Sequence, residues 1–477
     1  MATSTASSKS STSSNTLADR LADYATTLRF EDLPKEVVHE AKRVLIDSLG
    51  VAIGAWKEDP CRIARTVAME LSAKNGSTLW GTHHKAPSDW AAFANGCCVR
   101  YFDYNDTYLS KEPAHPSDNI PAAYAVAESV GANGRELITA IAIAYEVQCR
   151  FCDAASIRAR GWDHVTYGCF SVACAASKLM KLDKAKAKHA IGIAGVSSAA
   201  LRQSRVGELS HWKGTAFANA ARHGVYAAML ARAGMTGPAP IFEGEKGFEI
   251  LVSGPLRPVG PFGDPPQKQA SADDFMIRRS YIKFYPAEYH AQSAVAAALE
   301  LRKRLNITSG EQIESIVVDS HDAAVDIIGS EPEKWRPTHR ETADHSLPYM
   351  VAAALNDGEL TSRQFESSRF TEAKLLDLVA RVKVNRHKEL SDMYPEAVGN
   401  IVTIRMKDGR TDTLRINYPP GHAKNRLPDS GIESKYHTLV DPIMGKERAN
   451  KILDWAWKLD MQTDLGGLMP LLEMEGR

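Results

Sequence analysis

No apolar run in this sequence approaches the roughly 20 residues that a membrane-spanning helix needs; the longest candidates are short segments such as Ile138 to Val147. Net charge is also missing, because 58 Lys and Arg balance 58 Asp and Glu. No global field therefore draws the chain to nucleic acid or to an anionic membrane, and any preference for anions must come from local clustering. Cysteine is sparse and odd in number, at seven, and no secretory apolar segment precedes the chain's first helical pattern. Reduced thiols are expected rather than a disulfide framework. Cys149-Arg-Phe-Cys152 has the CxxC spacing, but it lies within a helical pattern and no second CxxC exists to complete a zinc site. An arginine-rich amphipathic presequence is absent as well, only Lys9 being basic before Arg20, which favours the cytoplasm while leaving a mitochondrial matrix location open. Walker A, a G-x-G-x-x-G turn after a strand and a G-x-S-x-G elbow are all lacking. Phosphoryl transfer, nicotinamide chemistry and serine hydrolysis thus find no support.

What is present is a chain of 477 residues with 44% hydrophobic content, enough for two or three domains and a sizeable core. Residues 1–16 are almost all Ser, Thr, Ala and Asn, which bury too little surface to offset the entropy of ordering, so a disordered tail is expected. From Leu17 to about Ile250 the apolar period is helical, with alanine-rich segments punctuated by Gly and Pro. One helix is predicted after Leu33-Pro34, ending near Gly50; others cover Trp90 to Cys98, Gly134 to Asp153, Cys169 to Leu182, Ala185 to Ala200 and Ala216 to Gly234. Five prolines between Pro255 and Pro266 mark a domain boundary. The texture then becomes mixed. Strands are predicted at Ile313 to Asp319 and Val382 to Asn385, and a hairpin at Ile401 to Met406 and Thr413 to Asn417 around Asp408-Gly409. Helices intervene at Glu288 to Arg304, Ser346 to Leu355 and Thr371 to Val382, and helical texture returns after Tyr418. The fold class is therefore mainly α: a helical domain over 17–270, an α+β domain over 271–417, and a tail, 418–477, that rejoins the first domain.

Chemistry concentrates in Arg100-Tyr-Phe-Asp-Tyr-Asn-Asp-Thr-Tyr108 and His115-Pro-Ser-Asp-Asn119. His115 stands beside a helix start, where free N–H groups favour an anion, with Asp103, Asp106 and Thr107 as possible orienting partners. The alternative is a capping loop whose Asp and Thr merely tie down backbone. A second histidine, His164, sits in the Gly-flanked turn Gly161 to Gly168, and the connection Leu201 to Lys213 carries Arg202, Arg205, His211 and Lys213. Lys283 lies in the apolar run Tyr281-Ile-Lys-Phe-Tyr-Pro286; it either snorkels to solvent, which such a run favours, or points into a cleft between domains. Glu288, His290, Asp344, His345 and Tyr349 follow. Together the cations Arg202, Arg205, Lys213 and Lys283, with His115 and His164, suit a substrate bearing two or three carboxylates. Few aromatics accompany them, unlike a base-stacking surface.

At these segments the chain resembles the MmgE/PrpD family, and within it the 2-methylcitrate dehydratases. The motifs Phe102-Asp-Tyr-Asn-Asp-Thr-Tyr108, His115-Pro-Ser-Asp-Asn119, Gly161-x-Asp-His164, Leu201-Arg202, Tyr281 to Gln292, Asp344-His345 with Tyr349, and Tyr418-Pro-x-Gly-His422 fall in the family's order over nearly the whole chain. The resemblance implies a large helical domain built from both chain ends, an inserted α+β lid, an active site in the cleft between them, and a homodimer. It also implies roles for Asp103, Thr107, His115, His164, Lys213 and Lys283, with Tyr349 at a further pocket position. The family includes cis-aconitate decarboxylases, which tend to carry His where this chain has Glu288 and lack the Ser117-Asp-Asn119 continuation; both departures favour the dehydratase.

Dehydrating 2-methylcitrate removes a proton beside a carboxylate and expels a hydroxyl. The first needs positive charge on the carboxylate, the second an acid. His115, oriented by Asp103, is the expected proton carrier, with Lys283 or His164 as the other. Arg202, Arg205, Lys213, Thr107, Tyr349 and His290 form the expected substrate-binding set. No metal or other cofactor is expected, since an iron-sulfur cluster needs three or four placed thiolates. The partner expected is a small tricarboxylate, with neither nucleic acid nor membrane. Alternatives are a cis-aconitate decarboxylase, an epimerase of small dicarboxylates, and a non-catalytic oligomer that merely captures an acid.

Overall fold

The computed structural model describes residues 15–207 and 209–474. The tail expected over residues 1–16 lies, up to residue 14, outside the described residues; Thr16 already caps the helix Leu17–Thr27 through a reciprocal pairing with Asp19. The described residues are mainly helical, as the alanine-rich periodicity requires, with a two-stranded pair and one four-stranded sheet.

The helix Gly134–Ala154 shows how the sequence dictates its element. Asn133 and Glu136 satisfy each other's backbone donors at its start, and from Leu137 to Cys152 every side chain is buried. A helix apolar on all faces has to be enclosed by others. It packs on Thr166–Leu179, which packs on Trp212–Arg232, which in turn packs on Ser88–Arg100. Each fully buried Leu, Ile or Phe in this stack contributes about 1.5–3 kcal/mol relative to exposure. The two ends of the chain meet where Lys35–Ala55 packs on Asp429–Met444. Gly50 does not end the first of these helices, contrary to expectation. It lies at the crossing instead, where a Cβ would sit 3.2 Å from the Tyr436 ring. Here a helix stop signal is overridden by the need for close approach.

Between these ends the chain builds a mixed sheet in the order Val382–Arg386, Ile313–Ser320, Asn400–Met406, Thr411–Ile416. The first pair is parallel and the other two antiparallel. Alternation along Ile313–Ser320 and Asn400–Met406 buries Ile316, Val318, Val402 and Ile404 on one face, against Gln292–Arg304, whose own neighbour is Leu347–Asp357. The buried apolar residues accordingly divide into two large clusters. One runs from Leu17 to Ile282 and resumes at Leu427; the other spans Ala287 to Met406. The functional residues of interest lie at the junction of the two.

Candidate active site

Three segments distant in sequence are stitched together by backbone hydrogen bonds. Thr107 and Tyr281 exchange N–H···O bonds of 2.8 and 2.7 Å, and Ile282 N–H donates to the Gly421 carbonyl at 3.1 Å. Gly421 has φ +89°, and a Cβ there would lie 1.8 Å from the Ile282 carbonyl oxygen, so only glycine fits. The contact fixes the residue next to Lys283. Lys283 consequently does not snorkel: its side chain is 1% exposed, and Nζ donates to both the carbonyl (2.7 Å) and Oδ1 (2.8 Å) of Asp103. A buried carboxylate outweighs the draw of solvent.

Asp103 is the hub. Its backbone adopts φ +50°, a left-handed conformation that is strained for a residue with a Cβ by about 1–3 kcal/mol. Arg100 donates to Oδ1 at 2.5 Å, Lys213 lies 3.5 Å from Oδ2, and His345 Nε2 lies 3.6 Å from the same oxygen. Burial alone would raise its pKa, but Arg100, Lys283 and Lys213 hold the carboxyl well below the usual range. Asp344 joins from the other side, accepting from His345 Nδ1 at 2.6 Å and lying 3.8 Å from Lys213. Burial opposes its ionisation too, and Lys213 and His345 again prevail.

Asp103 does not orient His115 as expected. The two approach only to 4.0 Å, since Arg100 stands between them and donates to His115 Nε2 at 3.0 Å. With that nitrogen accepting, the ring proton lies on Nδ1 and is donated to the Asp106 carbonyl at 2.7 Å, with Thr107 Oγ1 at 3.2 Å. The expected anion site at the helix start is also filled from within, because Asp106 Oδ1 accepts the Ser117 N–H at 2.8 Å. For Asp106 the capping-loop alternative is therefore the correct one. Burial, with Arg100 and Lys283 nearby, drives the His115 pKa well below 6.5, so the ring is neutral near neutral pH. His164 Nδ1 lies 3.1 Å from Asp163 Oδ1, and the Asp163 carboxylate accepts from Arg205 (2.9 Å) and from the Ser204 hydroxyl (2.7 Å). Burial and then Arg205 push His164 down to about 3.

These residues surround a cavity of about 140 Å³. Of the residues expected from sequence, Asp103, Thr107, His115, His164, Arg202, Arg205, Lys213, Lys283 and His290 line it. Tyr349 does not. It is buried in the second cluster among Phe365 and Phe370, and its hydroxyl donates to the Gln364 carbonyl at 2.6 Å. It lies in the first turn of the helix Leu347–Asp357 and packs into that cluster, so adjacency in sequence to Asp344 and His345 did not carry over to the cavity lining. His211 is exposed. Among the Arg, Lys, Asp, Glu and His side chains of the lining, Arg100, Arg158, Glu288 and His345 receive no site role from sequence. Arg100 and the Asp344-His345 pair stood within the quoted motifs, and i,i+3 spacing from Arg100 to Asp103 was the available signal. Arg158 had none. Glu288 caps the turn Tyr289–Ala291 by accepting the His290 N–H at 2.8 Å, and burial raises its pKa against the opposition of His345 and Lys283. Among the described residues no group of three or more His, Cys, Asp or Glu side chains is placed to hold a metal ion, and Cys149 and Cys152 are buried inside their helix. No described helix is long and apolar enough to cross a membrane.

A mainly helical chain with a buried, cation-rich cavity at the junction of two apolar clusters defines a class of protein equipped to enclose a small anion. Comparison with known proteins makes the assignment narrower: the chain belongs to the MmgE/PrpD family, residues 19–258 matching the MmgE/PrpD N-terminal domain and residues 285–459 the MmgE/PrpD C-terminal domain. Among its relatives, the 2-methylcitrate dehydratase of Cupriavidus necator is 28% identical over 452 residues, covering 89% of this chain and 90% of the relative. That of Escherichia coli K12 is 26% identical over 434 residues, covering 85% and 86%. The cis-aconitate decarboxylase of Mus musculus is 26% identical over 466 residues, covering 94% and 91%.

Proposed function

We propose that this protein is a hydro-lyase that dehydrates a tricarboxylic acid, 2-methylcitrate or citrate, by acid–base catalysis. The observation that carries this reading is the charge balance of the cavity. Five cations, Arg100, Lys213, Lys283, Arg158 and Arg202, face the carboxyl groups of Asp103, Asp344 and Glu288, while Arg205 and Asp163 cancel. With every carboxyl ionised the excess is two positive charges, and burial, which raises the Glu288 pKa and so favours its neutral form, moves the excess toward three, which suits an acid with three carboxylates. Buried in a medium of low polarity, that excess favours a trianion far more than it would in water. Leu109, Pro113, Leu209 and Ile327 offer aliphatic contacts in the cavity and suit a methyl substituent.

In the proposed reaction a neutral imidazole takes the proton from the carbon beside a carboxylate, the carbon–oxygen bond breaks, and the hydroxyl leaves as water with a proton from the Lys283 ammonium. His115 is one acceptor, once substrate displaces Arg100 from Nε2. His345 is a second, because Asp344 holds its Nδ1 proton and leaves Nε2 facing the cavity. Lys213, Arg202 and Arg205 bear on the substrate carboxylates, and the α+β segment acts as the lid over them. The relatives named 2-methylcitrate dehydratase support this reading over nearly their full length.

Chelator-treated protein should produce a rise in ultraviolet absorbance from the new carbon–carbon double bond when given 2-methylcitrate or citrate. No rise with either acid under enzyme excess would sink the proposal. The mouse relative motivates one competing outcome: release of carbon dioxide and itaconate from cis-aconitate would assign a decarboxylase instead. His115→Ala should abolish turnover without unfolding the chain, and undiminished turnover would remove His115 from the mechanism.

A further inference from the structure

Most cations at the cavity are matched by a carboxylate of the protein, and two are not. Arg100, Lys283 and Lys213 converge on Asp103, and Arg205 is held by Asp163. Among the described residues neither Arg158 nor Arg202 forms an ion pair, although both line the cavity. Both are nevertheless fixed at their backbones. Arg158 opens the short turn Arg158–Arg160, whose approach is pinned by the fully buried Glu112: its Oε2 accepts the Ile157 N–H (2.7 Å), the Arg158 N–H (3.0 Å) and the Ser156 hydroxyl (2.9 Å). Arg202 donates its N–H to the Gly161 carbonyl at 3.0 Å and opens the turn Arg202–Arg205.

The two guanidiniums also feel one another. Burial first, and then Arg158, lowers the Arg202 pKa, and burial followed by Arg158 lowers that of His290 across the same space to about 3. Two like charges turned into one partly enclosed volume, with Glu112 and Asp163 near Arg202 but neither within ion-pair distance of it, repel until an anion arrives. A planar guanidinium presents paired donors that match a carboxylate, so two of them can grip one carboxylate from two sides. The inner cluster around Asp103 and Lys283, by contrast, is where proton transfer is proposed.

We infer that Arg158, together with Arg202, holds the substrate carboxylate most remote from the reacting carbon, and that Arg158 sets the preference for three carboxylates over two. This rests on the tricarboxylate reading above and adds to it a residue that no sequence motif pointed to. Glu112 then has a positioning part, since it holds the Arg158 turn without touching substrate.

The test is titration calorimetry of the full chain with citrate, which has three carboxylates, and succinate, which has two. Arg158→Gln should weaken citrate binding about 10- to 100-fold, the worth of a charged hydrogen-bonded pair, and leave succinate binding within about twofold. Arg158→Lys should fall between, because it keeps the charge and loses the paired donors. A parent protein that binds citrate no more tightly than succinate refutes the tricarboxylate reading itself. A parent that prefers citrate, with Arg158→Gln keeping the whole preference, overturns this inference alone. Equal loss of both ligands accompanied by a lower unfolding temperature overturns it as well, by showing a structural role.

Discussion

Replacing Asp103 by asparagine removes one negative charge from the centre of the cavity and little else. Asparagine tolerates the left-handed backbone that Asp103 adopts at φ +50°, so the exchange separates charge from backbone strain. What it leaves behind is three cations, Arg100, Lys283 and Lys213, around an amide. At 2.8 Å, and with an effective dielectric of about 20, the Lys283–Asp103 attraction is about 6 kcal/mol. Burial already lowers the Lys283 pKa, with Asp103 the chief opposing influence. Without that opposition the Lys283 pKa should fall further, which depletes the ammonium that serves as acid in the proposed reaction. Turnover at pH 7 should fall about 10²- to 10⁴-fold, the usual worth of a positioned acid. Unfolding free energy should drop by about 3–5 kcal/mol, as when one partner of a buried pair is removed. Citrate should restore stability, because it supplies the missing negative charge. Urea unfolding with and without citrate, alongside turnover, checks all three. An Asp103→Asn protein that unfolds like the parent and keeps its turnover would refute the view of Asp103 as the charge on which Lys283 depends.

The dyad makes a second prediction: Asp344→Asn should reduce turnover about 10²-fold or more, since His345 would lose the group that holds its Nδ1 proton, while citrate binds at least as tightly as to the parent, since a negative charge has left the cavity; unchanged turnover would contradict the proposed role. A third concerns pH. The folded-state pKa of His290, about 3, lies below its unfolded value of 6.5, so the unfolded chain binds the extra proton between them and this contribution, full above pH 6.5, is lost as pH falls. Asp118 and Asp106, raised by burial to about 7 and about 6, act in the opposite sense, so the informative quantity is a difference. Between pH 6.5 and 5 the parent should lose about 2 kcal/mol more than His290→Gln in urea unfolding, and equal losses would disprove the assignment. Finally, Gly421→Ala should lower the unfolding temperature and turnover together, because its Cβ would collide with the Ile282 carbonyl and displace Lys283; a fully active variant would show that this contact does not position the lysine.

Much of the molecule was legible in the residues because the relevant physics is local. Periodicity and caps located the helix Gly134–Ala154 and the hairpin around Asp408-Gly409, for hydrogen bonds within a helix and a short turn answer to neighbours in sequence. Runs of like chemistry also identified nine residues that line the cavity, among them His115, His164 and Lys283. Where a local signal met a tertiary contact, the contact prevailed. Gly50 reads as a helix stop and instead admits Tyr436, and Lys283 reads as a snorkelling lysine until Asp103 lies 2.8 Å from its Nζ.

Partners were the part that sequence could not determine. The acidic residues near His115 were visible, yet which of them touches the ring depends on Arg100 stepping between Asp103 and His115, and on Asp106 turning its carboxylate to Ser117. Tyr349 lay close in sequence to the site and yet does not line it, since that ring packs in the second apolar cluster. Arg158, in a polar turn with no motif, reaches the cavity only because Glu112 pins its backbone. The sequence by itself thus determined the helices, the strands and the stock of charged groups, each a matter of residues a few positions apart. Only the tertiary structure decided which charges meet, because a buried charge takes whichever partner the packing of distant segments delivers.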